Sequence, residues 1–153
     1  VKESYEKTKR RRAEGGFTLI ELIVVLVILS LLAAVVAPKM LSRAEDAKVT
    51  DAKVQMRNLE TALKLFKLDN GFYPTTEQGL EALVEKPSTG RIPKNYREEG
   101  YLEKSRVPLD PWGNPFIYVS PGQNDDYEIV SMGADGQEGG EGHDADLQSW
   151  NVQ

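Results

Sequence analysis

Sixteen consecutive residues, Leu22–Ala37, carry no polar side chain except that of Ser30. As an α-helix this run spans roughly 24 Å, or roughly 31 Å counted from Phe17. The longer figure matches the hydrocarbon core of a bilayer, about 30 Å. Lys7, Lys9, Arg10, Arg11 and Arg12 stand just before it, and residues 1–16 hold six Lys/Arg against three Glu, a net of +3. Such a basic flank predicts a cytoplasmic N-terminus with the rest of the chain outside. A cleaved secretory signal and a plain signal anchor both fit the run itself. "LLAAVVAP" supplies small residues for a signal cleavage site, although the apolar core is long for one. Neither accounts for Gly15-Gly16-Phe17 or for Glu21, an acid inside the apolar segment. Two glycines between the basic cluster and the apolar run make a flexible, unhindered peptide. It suits a protease that removes the charged leader and leaves the whole apolar helix.

The remaining residues suffice for one domain beside the anchor. The 153-residue chain has no cysteine, which excludes disulfides and thiolate metal sites. Its charges are segregated: no Lys or Arg follows Arg106, whereas nine Asp/Glu do. An acidic C-terminal half argues against nucleic-acid binding. With one histidine and no nucleophile beside a base, nothing in the pattern reads as catalytic.

Pro38 interrupts the apolar run, and in a membrane anchor a proline kinks a helix without ending it. An amphipathic pattern resumes with Met40, Leu41, Ala44, Ala47 and Val54, then Leu59, Ala62, Leu63 and Phe66 at i, i+3, i+4, i+7. The spacing predicts one helix over 17–68, bent near Pro38, with Asn70-Gly71 as its stop. Thr75 and Gln78 have capping-box spacing ahead of Leu80, Leu83 and Val84. Residues 88–110 read as loop. Phe116–Ser120 and Tyr127–Ser131 read as two strands joined by a hairpin-length turn. The predicted class is α+β, a long helix packed on a small antiparallel sheet. The predicted divisions are 1–16, a leader; 17–38, a membrane helix; and 39–153, a globular domain.

"SMGADGQEGGEGHDADLQSW" holds Asp135, Glu138, Glu141, Asp144 and Asp146 among five glycines. Hard oxygen ligands on a flexible backbone suit Ca²⁺. A solvated acidic turn fits the composition equally well. The spacing is not that of an EF-hand, and one copy of a segment similar to an RTX nonapeptide cannot stack into a β-helix. His143, the only histidine, is expected at the surface.

"GGFTLIELIVVLVIL" resembles the cleavage and anchor motif of type IV prepilins. The resemblance implies a type IV pilin-like fold, with cleavage after Gly16 by a membrane-embedded prepilin peptidase and N-methylation of Phe17. It also implies assembly into helical filaments with the N-terminal helices bundled in the centre. "YPTTEQGLEAL", "DPWGNPF" and "SMGADGQEGGEG" extend the likeness to the major pseudopilins of type II secretion systems. Ordinary type IV pilins usually carry a C-terminal disulfide loop, which this chain lacks. Membership implies a single-pass inner-membrane subunit with a periplasmic domain that polymerises with its own kind. Its expected partners are minor pseudopilins and an inner-membrane assembly platform, and its expected task is export of folded proteins across the outer membrane. The resemblance also implies a calcium loop, with Asp135 and Asp146 as side-chain ligands and Met132 as a main-chain ligand. Asp144 is a further candidate, although Ala145 stands where some relatives have an acid. A type IV pilus subunit is one alternative. Another is a membrane-tethered, calcium-dependent binding module, with Trp112, Tyr118 and Trp150 available to line a site.

On that resemblance Glu21 acquires a physical rationale. Cleavage would create an α-amino group at Phe17, four residues away on the same helix face. An unpaired carboxylate in hydrocarbon costs a few kcal/mol or more. An amine of the same or a neighbouring subunit would relieve that penalty at only one axial offset, and so set the register of assembly.

Overall fold

The computed structural model describes residues 16–151. The chain divides into two units between Met40 and Leu41. One helix, α1, covers Leu19–Asn70 and includes Pro38. Its ends lie within two residues of the predicted bounds.

In the N-terminal unit every described residue is exposed, including the whole apolar run from Leu19 to Ala37. This helix is long and apolar enough to cross a membrane. Its own backbone hydrogen bonds satisfy its polar groups, the condition a segment must meet in lipid.

The second unit is built on the remainder of α1. Ala52, Met56, Leu59, Leu63 and Phe66 are buried, at steps of four and three residues, with Ala62 beside them. Buried Leu80, Leu83, Phe116, Tyr118, Tyr127 and Ile129 complete one apolar cluster with this seam. The expected face was right from Leu59 onward. Further back the structure corrects it: Met40, Leu41 and Val54 are exposed, while Ala52 and Met56 are buried. The globular part covers only the later turns, so the seam starts where its cover does.

The helix stops as expected. The Gly71 N–H bonds to the Lys67 carbonyl at 2.7 Å, with Gly71 at φ 81°. The Asn70 side-chain amide donates to the Phe66 carbonyl at 3.0 Å. Left-handed φ without a Cβ penalty is the usual way to end a helix.

Thr75 and Gln78 close the predicted reciprocal box. The Thr75 N–H donates to Gln78 Oε1 at 3.1 Å, and the Gln78 N–H to Thr75 Oγ1 at 3.3 Å. The box holds a turn, after which comes a 3₁₀ helix, Leu80–Leu83. The 88–110 segment has no helix or strand but is pinned at several points. Arg97 bonds to Asp69 at 2.6 Å, Asn95 to Asn70 at 3.1 Å, and the Tyr101 N–H to the Leu83 carbonyl at 2.7 Å.

Strands β1 (Ile117–Val119) and β2 (Glu128–Ser131) form the expected antiparallel hairpin, with Tyr118 opposite Ile129. A third strand, β3 (Leu147–Gln148), pairs with the other edge of β2. Sequence reading assigned those residues to the acidic loop, because two residues are too few to display alternation. Tyr118 and Ile129 point toward the α1 seam, while Ile117 and Val119 are exposed.

Truncating this seam should cost far more than truncating exposed positions on the same helix. We expect Leu63→Ala to lower unfolding stability by about 2–5 kcal/mol. Leu68→Ala, at a residue 78% exposed, should change it by less than about 0.5 kcal/mol. Denaturant titration of the full chain in micelles checks both.

Candidate functional site

Gly16, Phe17 and Thr18 precede α1 and belong to no regular element, and all three are exposed. The Gly16–Phe17 bond therefore lies in open chain just ahead of the apolar helix. The basic cluster of the leader lies outside the described residues. The Glu21 N–H donates to Thr18 Oγ1 at 3.3 Å. Thr18 thus caps α1, and Glu21 occupies the third helical position. Thr-Leu-Ile-Glu has the spacing of an N-terminal capping motif, a signal that sequence reading passed over. A carboxylate in the first turn also complements the helix dipole.

The acidic loop is closed by its own backbone. The Ala134 N–H bonds to the His143 carbonyl at 3.0 Å, and the Asp146 N–H to the Gly139 carbonyl at 3.2 Å. At Gly133 φ is 62°, and an added Cβ would sit 2.6 Å from the Asp144 carbonyl oxygen. Gly140 approaches the same carbonyl as closely. Two glycines thus let the loop fold around the Asp144 main chain.

The candidate ligands differ in their surroundings. Asp146 Oδ2 accepts the Gly139 N–H at 3.0 Å, while Asp146 Oδ1 is buried and has no partner. Asp135 is exposed, and its Oδ1 accepts the Gln137 N–H at 3.0 Å. Asp144 is exposed, and Met132 is half-buried immediately after β2. Among the described residues no three Asp, Glu or His side chains gather in metal-binding geometry. A cation here would therefore draw on main-chain carbonyls beside the carboxylates. The bare Asp146 oxygen and the inward-folded backbone suit a hard ion such as Ca²⁺.

Side chains from α1 tie this region down in a way the sequence did not suggest. His143, expected at the open surface, is half-buried, and its Nε2 lies 2.9 Å from Asp46 Oδ1. Trp112 Nε1–H donates to Glu45 Oε2 at 2.8 Å, and Lys48 bonds to Glu45 Oε1 at 3.0 Å. Buried Asp110 organises the "DPWGNPF" turn. Its Oδ1 accepts the N–H groups of Trp112 and Asn114 at 3.1 and 2.8 Å, and its Oδ2 accepts the Ser131 hydroxyl at 2.7 Å. Asp-Pro followed by glycine has the composition of a turn, a signal that sequence reading did not use, and the long-range partner Ser131 had no local signature. Tyr118 is buried in the core with its hydroxyl on the Pro74 carbonyl at 2.8 Å. It is therefore not available to line a surface site with Trp112 and Trp150.

Comparison with known proteins bears on the same features. Residues 39–150 match the family model described as type II secretion system protein G, and residues 11–37 match a prokaryotic N-terminal methylation motif. The chain belongs to the type II secretion protein G family. It is 51% identical over 142 residues to the type II secretion system core protein G of Pseudomonas aeruginosa, covering 93% of this chain and 99% of that one. The corresponding protein of Vibrio cholerae is 52% identical over 145 residues, covering 95% and 97%. Among solved structures, the major pseudopilin of enterohaemorrhagic Escherichia coli superimposes with a TM-score of 0.64 at 40% identity, covering 74% of this chain and 95% of that chain. These likenesses identify the chain as a major pseudopilin, with the pilin-like fold that its long helix and three-stranded sheet display.

The Trp112–Glu45 bond gives this pseudopilin a pH signature. Hydrogen bonding by the Trp112 indole, then by Lys48, holds the Glu45 carboxyl below its usual range. A depressed folded-state value means that the contribution is complete above about pH 4.3. It is lost as pH falls through the folded value. The melting-temperature gap between wild type and Trp112→Phe should therefore shrink between pH 6 and pH 3. Parallel curves across that range would exclude the bond as a source of acid sensitivity.

Proposed function

We propose that this chain is the polymerising subunit of a type II secretion pseudopilus, with a structural rather than catalytic role. The observation that carries this reading is the uncovered apolar helix joined directly to a small globular domain. A helix exposed all round from Leu19 to Ala37 needs lipid before assembly and neighbouring helices after it. Cleavage at Gly16–Phe17 would release the basic leader and leave the membrane helix intact. N-methylation would follow at Phe17, whose new amine would pair with the Glu21 carboxylate of the same or a neighbouring subunit. The precursor would sit in the inner membrane with its C-terminal domain in the periplasm. Prepilin peptidase, an inner-membrane assembly platform and minor pseudopilins are the partners this sequence of events requires. Growth of the helical homopolymer would drive folded proteins across the outer membrane.

Mass spectrometry of the N-terminus tests the reading. Wild type should begin at a methylated Phe17. Glu21→Ala should be cleaved to a similar extent but lose methylation and filament assembly. An uncut Gly16–Phe17 bond would instead favour a membrane-tethered binding module. Normal filaments from Glu21→Ala would remove the pairing role of that residue.

We further propose that the Ser131–Trp150 loop binds Ca²⁺. Asp146 and Asp135 would supply carboxylate oxygens, with Asp144 and the Met132 carbonyl adding to them. Support comes from the buried, unpartnered Asp146 Oδ1 and from the absence of cysteine to staple the loop. The ion would offset two of the five negative charges of a segment that contains no Lys or Arg. At about 100 times Kd, binding only the folded state contributes about 2.7 kcal/mol. EDTA should then lower the melting temperature by about 10 °C, calcium should restore it, and Asp146→Asn should lose the response. Identical melting with and without EDTA would exclude the site.

A further inference from the structure

A cleft on the globular unit has no lining residue from the acidic loop. It is an open cleft of about 340 Å³, lined by residues that include Lys67, Phe72, Tyr73, Arg91 and Asp126. Two cations meet here in a chain whose charge is otherwise acidic. Without residues 1–16, thirteen Lys/Arg face twenty-one Asp/Glu, a net of −8. Lys67 bonds to Asp126 at 2.8 Å, so these two charges cancel locally. Arg91 is left over. Among the described residues it forms no ion pair, and its guanidinium lies 4.1 Å from the centre of the Phe72 ring.

Arg91 is also held in place from behind. Its carbonyl accepts the Gln78 side-chain amide at 3.1 Å, and that amide reaches the Thr89 carbonyl at 2.8 Å. Gln78 is in turn locked by Thr75. The ring holds the guanidinium by a cation–π contact, and among the described residues none of its N–H groups has a hydrogen-bond partner. A planar fork with unspent donors is matched to a carboxylate, which it takes through two parallel bonds.

We propose that this cleft receives a glutamate carboxylate from the acidic glycine loop of a second copy of the chain, with the Arg91 guanidinium as receptor. Glu138 and Glu141 lie on the exposed part of that loop, and among the described residues neither forms an ion pair. Glu141 stands between Gly140 and Gly142, and Glu138 directly precedes Gly139, so the backbone that carries them is slender. Like-charged subunits associate where their few opposite charges interlock. The inference rests on the filament reading for its partner, but it specifies one contact within the filament.

Two measurements separate its failure from that of the filament reading. In the first, the ¹⁵N-labelled full chain in micelles is titrated with the peptide Gly-Ala-Asp-Gly-Gln-Glu-Gly-Gly-Glu-Gly. The Arg91 side-chain N–H signal should shift, and Arg91→Gln should weaken binding at least fivefold. Arg106→Gln, at an exposed cation outside the cleft, should leave binding unchanged. A peptide with glutamine at both glutamate positions should not compete. Equal loss from Arg91→Gln and Arg106→Gln, or equal binding of the glutamine peptide, would overturn the proposal whether or not filaments form. In the second, cells co-express Arg91→Cys and Glu138→Cys copies, with a matching Arg91→Cys and Glu141→Cys pair, and filaments are imaged separately. Oxidation should give a mixed covalent dimer with one of the two pairs. Filaments without either dimer would overturn the second-copy partner, and absence of filaments from wild-type cells would count against the filament reading while the peptide result decides the cleft.

Discussion

The seam of Ala52, Met56, Leu59, Leu63 and Phe66 is the interaction on which the globular unit depends. Each large side chain in it loses nearly all contact with water, a gain of roughly 1.5–3 kcal/mol apiece. The sheet is too small to stand without it. Strands of three, four and two residues offer few ladder hydrogen bonds, and a hairpin this short is at best marginal in water. Tyr118 and Ile129 gain their cover from the helix, and the helix gains its cover from them. The aromatic rings of Phe66, Phe72, Tyr96 and Tyr101 extend the same contact into the segment without regular structure, with centroid distances of 5.2 to 6.3 Å.

From that frame the functional features follow by position. One continuous helix carries two kinds of surface, an uncovered apolar run and an amphipathic seam. Glu21 belongs to the first, beside the cap made by Thr18. Asp46 and Glu45 belong to the stretch just ahead of the seam, where they reach His143 and Trp112, and Lys48 bonds to Glu45. The acidic loop is therefore anchored twice, by β3 to the sheet and by His143 to the helix.

Much of this was legible in the residues. The apolar run, the helix stop at Asn70-Gly71, the Thr75/Gln78 box and the β1–β2 hairpin are local patterns, set by periodicity or by side chains three or four positions apart. What escaped has a common cause. β3 is too short for alternation, Ala52 and Met56 are indistinguishable from exposed neighbours until a cover is known, and Asp110 finds Ser131 across 21 positions. The Thr18 cap was legible by spacing but was overshadowed by the charge of Glu21.

The sequence by itself determined that one helix must run through an apolar segment into an amphipathic one. It also determined that an N-terminal methylation motif leads into that helix, because hydropathy and motif spacing are properties of neighbouring residues. Only the tertiary structure decided which turns of the helix are covered. It also decided that Asp146 keeps a bare buried oxygen, that His143 meets Asp46, and that the Arg91 guanidinium lies over the Phe72 ring. Those are meetings between residues far apart in the chain. Burial and pairing depend on what the fold brings across, and no local pattern encodes that.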